Sequence, residues 1–307
     1  MEQQSGNVNQ TRQANVGEQS TVARQSPPQP NALQKYLKTP KGYVLVLLLI
    51  LMVIDTALYA PDRRGILNVA VAMATAVVID LIVALLRGQN KRLLSDGGLV
   101  TGAIVGLVLA PSVSVPITMI ATAVAIASKH LLKSGRKPWF NPAAVGLLFS
   151  SVVLHTGQSW WGDLADLHPL EIVFVIVIGY LITSRINKFP QVLSFLGAYF
   201  AILAITGFLH WGHAAFTPGD ALRWPLINSA LFMAFFMLTD PPTSPGKYKD
   251  QVWFGVITGV VGTLIYLLFG GLNYWLIALL VANAWKAWAG RQVVSSTLKE
   301  PVQRATG

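Results

Sequence analysis

Residues 235–250 read FFMLTDPPTSPGKYKD, an apolar run that ends on a carboxylate, three prolines and a cluster of hydroxyls. Pro241, Pro242 and Pro245 cannot continue a helix, so the segment after Asp240 is expected to be non-helical, with the hydroxyls of Thr239, Thr243 and Ser244 available to a ligand. Two further polar breaks interrupt apolar runs. In LLSDGGLVTGAIVG, Asp96, Gly97 and Gly98 let the backbone leave helical geometry and expose N–H groups, with Thr101 a turn further on. In KPWFNPAAVG, Asn141 can cap a helix whose first turn holds Pro142, next to Phe140, and such a start is rich in donors for a carbonyl or an anion. A carboxylate, an amide and several hydroxyls in a partly apolar setting suit a planar heteroaromatic ligand bearing both donors and acceptors. Each motif also has a plainer reading, since Asn-Pro ordinarily caps a helix and Asp-Pro at a membrane boundary ordinarily stops one. Their conjunction on one face favours a site.

The elements that must position these residues are membrane helices. The 307-residue chain is 53% hydrophobic and 12% charged, its mean hydropathy is +0.53, and its apolar residues come in long blocks. This is the composition of an all-α polytopic membrane protein. Spans are expected near 43–60, 65–86, 95–110, 114–131, 141–156, 170–184, 189–209, 224–239, 251–269 and 272–289. Ten spans put both termini on one side, and with that side inside, all but three of the 23 lysines and arginines lie on inner segments, the exceptions being Arg63, Arg64 and Arg223. The asymmetry predicts cytoplasmic termini in a plasma or inner membrane, and places all three polar motifs on the inner face. It also accounts for the net charge of +10 through loops lying against anionic lipid, with no basic, aromatic-interleaved stripe of the kind that binds nucleic acid.

Residues 1–42, rich in Gln, Asn and Ser at their start, are expected to form a disordered cytoplasmic tail, and 290–307 a cytoplasmic C-terminal tail. No apolar stretch near the start resembles a cleaved signal peptide, so the first span is expected to act as a signal anchor. The transmembrane domain, 43–289, divides into five-span halves at 43–156 and 170–289, and an odd number of spans per half inverts one half relative to the other. LAPSVSVP after the third span and TDPPTSP after the eighth share a Pro/Ser pattern across those halves. All nine tryptophans fall near expected span ends and are read as interfacial anchors. Cysteine is absent, which excludes disulfides and any iron–sulfur cluster or haem held by this chain's own thiolates.

SDGGLVTGAIVGLVLAP, GRKPWFNPA and above all FFMLTDPPTSP resemble the membrane subunits of the Rnf and sodium-pumping NADH:quinone oxidoreductase complexes, the RnfD/NqrB family, over about residues 43–289. The resemblance implies a ten-helix protein built as an inverted repeat like urea and ammonium channels. It implies a flavin, riboflavin or FMN, bound non-covalently near the inner face at Asn141 and Asp240, with Phe140 and Thr243 beside them. It further implies electron relay between other membrane and peripheral redox subunits, coupled to Na+ or H+ movement. Members of this kind attach FMN covalently at a Ser-Gly-Ala/Ser-Thr motif after the fifth span; this chain has HTGQSWWGDLADLH there and no Ser-Gly-x-Thr anywhere, so no covalent FMN is expected.

Asp55 and Asp80 lie inside expected spans, where a carboxylate is costly; an ion path is one reading, and hydration near the outer interface another for Asp55. His210 and His213 have i, i+3 spacing but flank Trp211 at a span end, which favours interfacial side chains over a metal. Glycines 255, 259 and 262 read as close helix packing. No Walker loop, nucleophile elbow or paired-carboxylate signature occurs. Beside the redox reading stand a small-solute transporter on the same architecture and a scaffold without cofactor.

Overall fold

A computed structural model describes residues 31–303 apart from 32, 33, 35, 37, 59–62, 89–96, 136, 165–169, 171, 213–218, 220 and 221. Asp96, His213 and nearly all of the expected N-terminal tail lie outside the described residues. Among the described residues the long elements are all helical: α1 (Pro40–Leu58), α2 (Arg63–Leu86), α3 (Gly98–Val108), α4 (Val115–Leu131), α5 (Pro142–Val153), α6 (Ile172–Ile186), α7 (Phe189–Phe208), α8 (Trp224–Phe232), α9 (Tyr248–Phe269) and α10 (Tyr274–Gln303). A two-residue hairpin, β1 (Lys133–Ser134) with β2 (Lys137–Pro138), links α4 to α5. The described residues from Tyr36 onward belong to one compact unit.

The helices coincide with the ten apolar runs to within a few residues, except at the end. There α10 continues to Gln303, through most of the stretch expected to be a tail, because neither Pro nor Gly interrupts residues 291–300. Four helices, α1, α2, α7 and α9, are long and apolar enough to cross a membrane. Their outward faces carry exposed apolar side chains such as Val53, Leu85, Phe208 and Phe269, a surface suited to lipid. The 11 residues of α3 reach about 17 Å, roughly half of a bilayer core. Nine of those residues are buried, so α3 touches protein on every side.

Small residues let α3 sit so deep. Gly98, Gly102 and Gly106 recur every fourth position and face α2, where a Cβ at 102 would lie 2.8 Å from the Met73 Cα and one at 106 would lie 2.9 Å from the Val69 nitrogen. Those neighbours are backbone and cannot rotate away. Gly102→Ala is therefore expected to force the two helices apart and to cost roughly 1–3 kcal/mol, read as a lower melting temperature of the detergent-purified protein. Gly255 and Gly259 of α9 meet α7 in the same way, and Gly262 meets the ring of Trp275.

Not every tryptophan is interfacial. Trp275 is fully buried and Trp160 and Trp161 nearly so, whereas Trp211, Trp253 and Trp288 are exposed. Trp275 packs at a tilt against the rings of Tyr199 and Tyr274, at centroid distances of 4.5 Å to each. Trp161 donates its indole N–H to the Gly106 carbonyl at 2.9 Å. Their position near helix ends misled because each finds apolar neighbours or an acceptor for its N–H inside the protein.

The two five-helix halves share a packing pattern. In each, the first helix packs on the third, the second on the fourth and the fourth on the fifth, and the halves meet where α1 touches α6 and α5 touches α10, each helix against its counterpart.

Candidate functional site

The site begins with how α8 ends. After Phe232 the helix widens into a π-helical stretch, Met233–Leu238, all of it buried. Gly179 of α6 makes room for it: a Cβ there would run into the Phe235 ring. Beyond Leu238 the prolines supply no N–H groups, so the carbonyls left over at the helix end need donors from elsewhere. Six side chains provide them. Asn141 donates its amide to the Met237 carbonyl (3.2 Å), Gln191 to Leu238 (2.6 Å), Lys286 to Pro242 (2.8 Å), Asn283 to Thr243 (3.1 Å), Gln251 to Gly246 (3.0 Å), and Lys188 to Pro245. The donors come from α5, α7, α9, α10 and the α6–α7 turn, so the turn at 239–246 is pinned by most of the second half of the chain. Two of them are cations, which also suit the negative end of the helix dipole.

Asn141 and Asn283 tie this turn to the first half. Asn141 caps α5 by accepting the Ala144 N–H at 3.1 Å. Its own backbone N–H donates to the Asn283 Oδ1 at 2.7 Å, while the amide of Asn283 holds Thr243. Two buried asparagines thus join the start of α5, α10 and the turn after α8.

Around this junction lies a cavity of about 670 Å³, lined by Gly97, Thr101, Ile104, Asn141, Phe236 and Asp240 among others, with Lys41, Arg87, Lys129, His130 and Lys133 also on its wall. Of the residues singled out in the sequence, Gly97, Thr101, Asn141 and Asp240 meet here. Gly98, Phe140 and Thr243 stand outside the wall, and Asp96 lies outside the described residues. Gly98 is buried against Asp80, whose carboxylate a Cβ would strike. Gly97 is extended rather than left-handed at the helix start, so its glycine identity is a matter of space beside Lys41. Thr243 acts through its neighbour, donating its hydroxyl to Asp240 Oδ2 at 2.8 Å. Of the other hydroxyls, Thr239 donates back to the Phe235 carbonyl at 2.6 Å, Thr101 lines the wall and donates to the Gly97 carbonyl at 2.9 Å, and the Ser244 hydroxyl is enclosed in protein.

Asp240 is half-buried, its accessible part facing the cavity it lines. Burial pushes its carboxyl above the usual carboxylate range, against the opposing pull of Lys41, the Thr243 hydroxyl and Lys286. Lys188 is lowered to about 8, chiefly by burial and then by the charge of Lys286, with Asp240 pulling the other way. Asp80 is buried on α2 and engaged: Lys129 lies 2.9 Å from Oδ2 and His130 2.6 Å from Oδ1. Asp80 thereby anchors two residues of the cavity wall. Asp55 is buried on α1, away from the cavity lining.

Sequence reading missed Gln191, Lys188, Asn283 and Lys286. Asn283 had a signal, an amide inside an otherwise apolar span with Lys286 three residues on, hence on the same helix face. Lys188 looked like one more inner-loop cation.

With this geometry in hand, comparison with known proteins decides the family. The profile described as the NQR2, RnfD, RnfE family matches residues 29–171 and 159–297. The chain belongs to that family. Among curated proteins it is similar to the RnfD-type member of the ion-translocating oxidoreductase complex of Methanosarcina acetivorans, 25% identical over 242 residues, which cover 71% of this chain and 77% of that protein. All three motifs that converge on the cavity fall within the family match.

Proposed function

We propose that the chain is the integral membrane subunit of an ion-translocating oxidoreductase complex and holds a non-covalent flavin, FMN or riboflavin, in the cavity at its inner face. The observation that carries the reading is the convergence of Gly97, Thr101, Asn141 and Asp240, from three separate motifs, on one cavity of about 670 Å³, within the range of roughly 300–1,000 Å³ that small-ligand pockets occupy. The donor set fits such a ring system. Ile104, Ala143 and Phe236 offer apolar wall, and Asp240 Oδ1 accepts no hydrogen bond from the described residues, leaving it to a ring N–H. Asn141 is held by its cap and by Met237, so it serves the site with its second amide hydrogen and by fixing the α5 start. A flavin bound there supplies one- and two-electron transfer. The chain orients the ring and sets its potential through burial and hydrogen bonds.

The same reading takes all ten helices as spans, with both termini cytoplasmic, the cationic loops inside, and the halves related as an inverted repeat. The shared packing pattern supports the repeat, and so do the two Pro/Ser turns. After α3, Asn68 of α2 donates to the Pro111 and Val113 carbonyls (3.3 and 3.0 Å), as Gln191 of α7 donates to Leu238 after α8. The second helix of each half thus supplies an amide to the end of the third. The relative's name places it in a complex of several subunits, and electron donors and acceptors for this chain are accordingly other membrane and peripheral subunits, with Na+ or H+ as the coupled ion.

The test is an absorption spectrum of the detergent-purified protein before and after acid precipitation, beside an Asn141→Ala, Asp240→Ala variant. Flavin bands released by acid and lost in the variant are expected. A colourless wild type, purified with flavin supplied, overturns the reading and makes solute uptake the next assay.

A further inference from the structure

The two halves join their third and fifth helices differently. At the inner junction the amide of Asn141, the cap residue of α5, bonds the end of α8 directly. Asn273 holds the same place before α10: its carbonyl accepts the Ile277 N–H at 3.1 Å, as that of Asn141 accepts the Val145 N–H at 3.2 Å. The side chain of Asn273, however, accepts from Gln158 at 2.8 Å. Gln158 belongs to the loop 155–164 after α5, and the backbone of that loop is bonded along the end of α3. The Gly157 carbonyl accepts the Ala110 N–H at 3.1 Å, and Ser159 and Trp160 donate to the Val108 carbonyl at 3.0 and 3.2 Å. The loop thus links the start of α10 to the end of α3, the place that corresponds across the repeat to the inner cavity beside the start of α5 and the end of α8.

The loop goes deep. Trp160 is 3% exposed, and its ring meets Phe232 edge-on with centroids 6.1 Å apart. Phe232 lies eight residues into α8, about 12 Å along the helix from its start. Its ring in turn meets Phe236, on the wall of the inner cavity, at 4.9 Å. Trp161 fills the gap left by Gly65 of α2, where a Cβ would come 3.2 Å from its ring, and Asn228 of α8 donates to the Asp163 carbonyl at 2.9 Å. Trp160 and Leu164 hold left-handed backbone, with φ of 55° and 62°, a conformation that non-glycine residues keep only where their surroundings over-determine it. We propose that residues 155–164 are a built-in plug, which closes the outer side of the protein with its own tryptophans and leaves the cavity open to the inner face alone. This rests on the inverted-repeat reading with cytoplasmic termini. A solute transporter opens its site to each side in turn, whereas a resident cofactor needs a closed back, so the plug favours the second use.

The chain contains no cysteine, so single cysteines in the full chain report accessibility without background. A sulfonated, membrane-impermeant maleimide is added to the outside of right-side-out membrane vesicles. Ser159→Cys, exposed on the loop, is expected to react. Leu107→Cys, at a fully buried position against Gly162, is expected to react roughly tenfold more slowly or less, and to regain about that factor when Trp160→Gly and Trp161→Gly are added. Indole, the group removed, is expected to raise the melting temperature of that variant and leave the intact chain unchanged, because a plug sits in a place its neighbours hold open. Gln158→Leu keeps both rings and cuts the tie to Asn273, so it is expected to speed Leu107→Cys as well, should the tryptophan variant not fold. Leu107→Cys reacting as fast as Ser159→Cys in the otherwise intact chain would overturn the closure. A rate unchanged by either loop variant, or a tryptophan variant indifferent to indole, would make the loop part of the scaffold and overturn the plug. Ser159→Cys reacting only from the inner side would overturn the orientation on which the plug rests. None of these outcomes bears on the flavin bands of the purified chain, so the plug and the flavin reading fail separately.

Discussion

Asn283→Leu is expected to empty the flavin site and to destabilise the protein by about 2–4 kcal/mol, although residue 283 does not line the cavity. Two buried polar groups lose their partner together. The Asn141 N–H, which donates to Asn283 Oδ1 at 2.7 Å, and the Thr243 carbonyl, which accepts from its amide at 3.1 Å, have no replacement in an apolar side chain. Both groups lie within a few residues of the site, one at the cap of α5 and one in the turn that aims Asp240. Asn283→Asp separates the two bonds. It keeps an acceptor for Asn141 but sets a carboxylate against the Thr243 carbonyl, so it should be as harmful as Leu at pH 8 and partly restored in acid, where the protonated carboxyl can donate. Thermal unfolding in detergent, read beside flavin content, checks this. An Asn283→Leu protein with wild-type melting and full flavin would show that the junction holds without its tie.

How much of this was legible in the sequence follows from what each residue's job depends on. The helices were legible because lipid demands long apolar runs, and charge, Pro and Gly mark their ends. The three motifs were legible because a polar break at a membrane boundary has few uses. Residues that serve those motifs from a distance were not. Lys188, Gln191, Gln251, Asn283 and Lys286 come from four different segments and meet only at the carbonyls of one turn. No spacing along the chain encodes that meeting. The hydrogen bonds of the hydroxyls were not legible for a related reason. A threonine near a broken helix can face a ligand or return to a carbonyl four residues back, and the choice is made by geometry, here in favour of Phe235 for Thr239 and Gly97 for Thr101. Asp80 shows the same limit, since its partners Lys129 and His130 lie 49 and 50 residues away.

Asp240→Asn should separate stability from function. The carboxyl of Asp240 is raised by burial, more than Lys41, Thr243 and Lys286 lower it, so folding favours its protonated form relative to the unfolded chain. A raised carboxyl stabilises the fold fully below its unfolded value, near 3.8, and that contribution is lost as pH rises through the folded value. At pH 8, far above that unfolded value, the wild type therefore lacks this contribution in full or in part. The amide is close in shape, retains an acceptor for the Thr243 hydroxyl, now 2.8 Å from Oδ2, and carries no charge to bury. Asp240→Asn is expected to melt higher than wild type at pH 8, with the difference shrinking as pH falls toward 4. Its flavin content should nevertheless fall, with affinity weakened about tenfold or more, because the amide that keeps its oxygen on Thr243 turns its NH2, a donor and no acceptor, toward the ring N–H. A variant that melts lower than wild type at pH 8 would mean that the lysines outweigh burial and that the carboxylate belongs to the scaffold. A stabilised variant that loses its ligand would identify Asp240 as a residue kept at the expense of the fold, the balance expected of a group whose task is to meet something the chain does not itself contain.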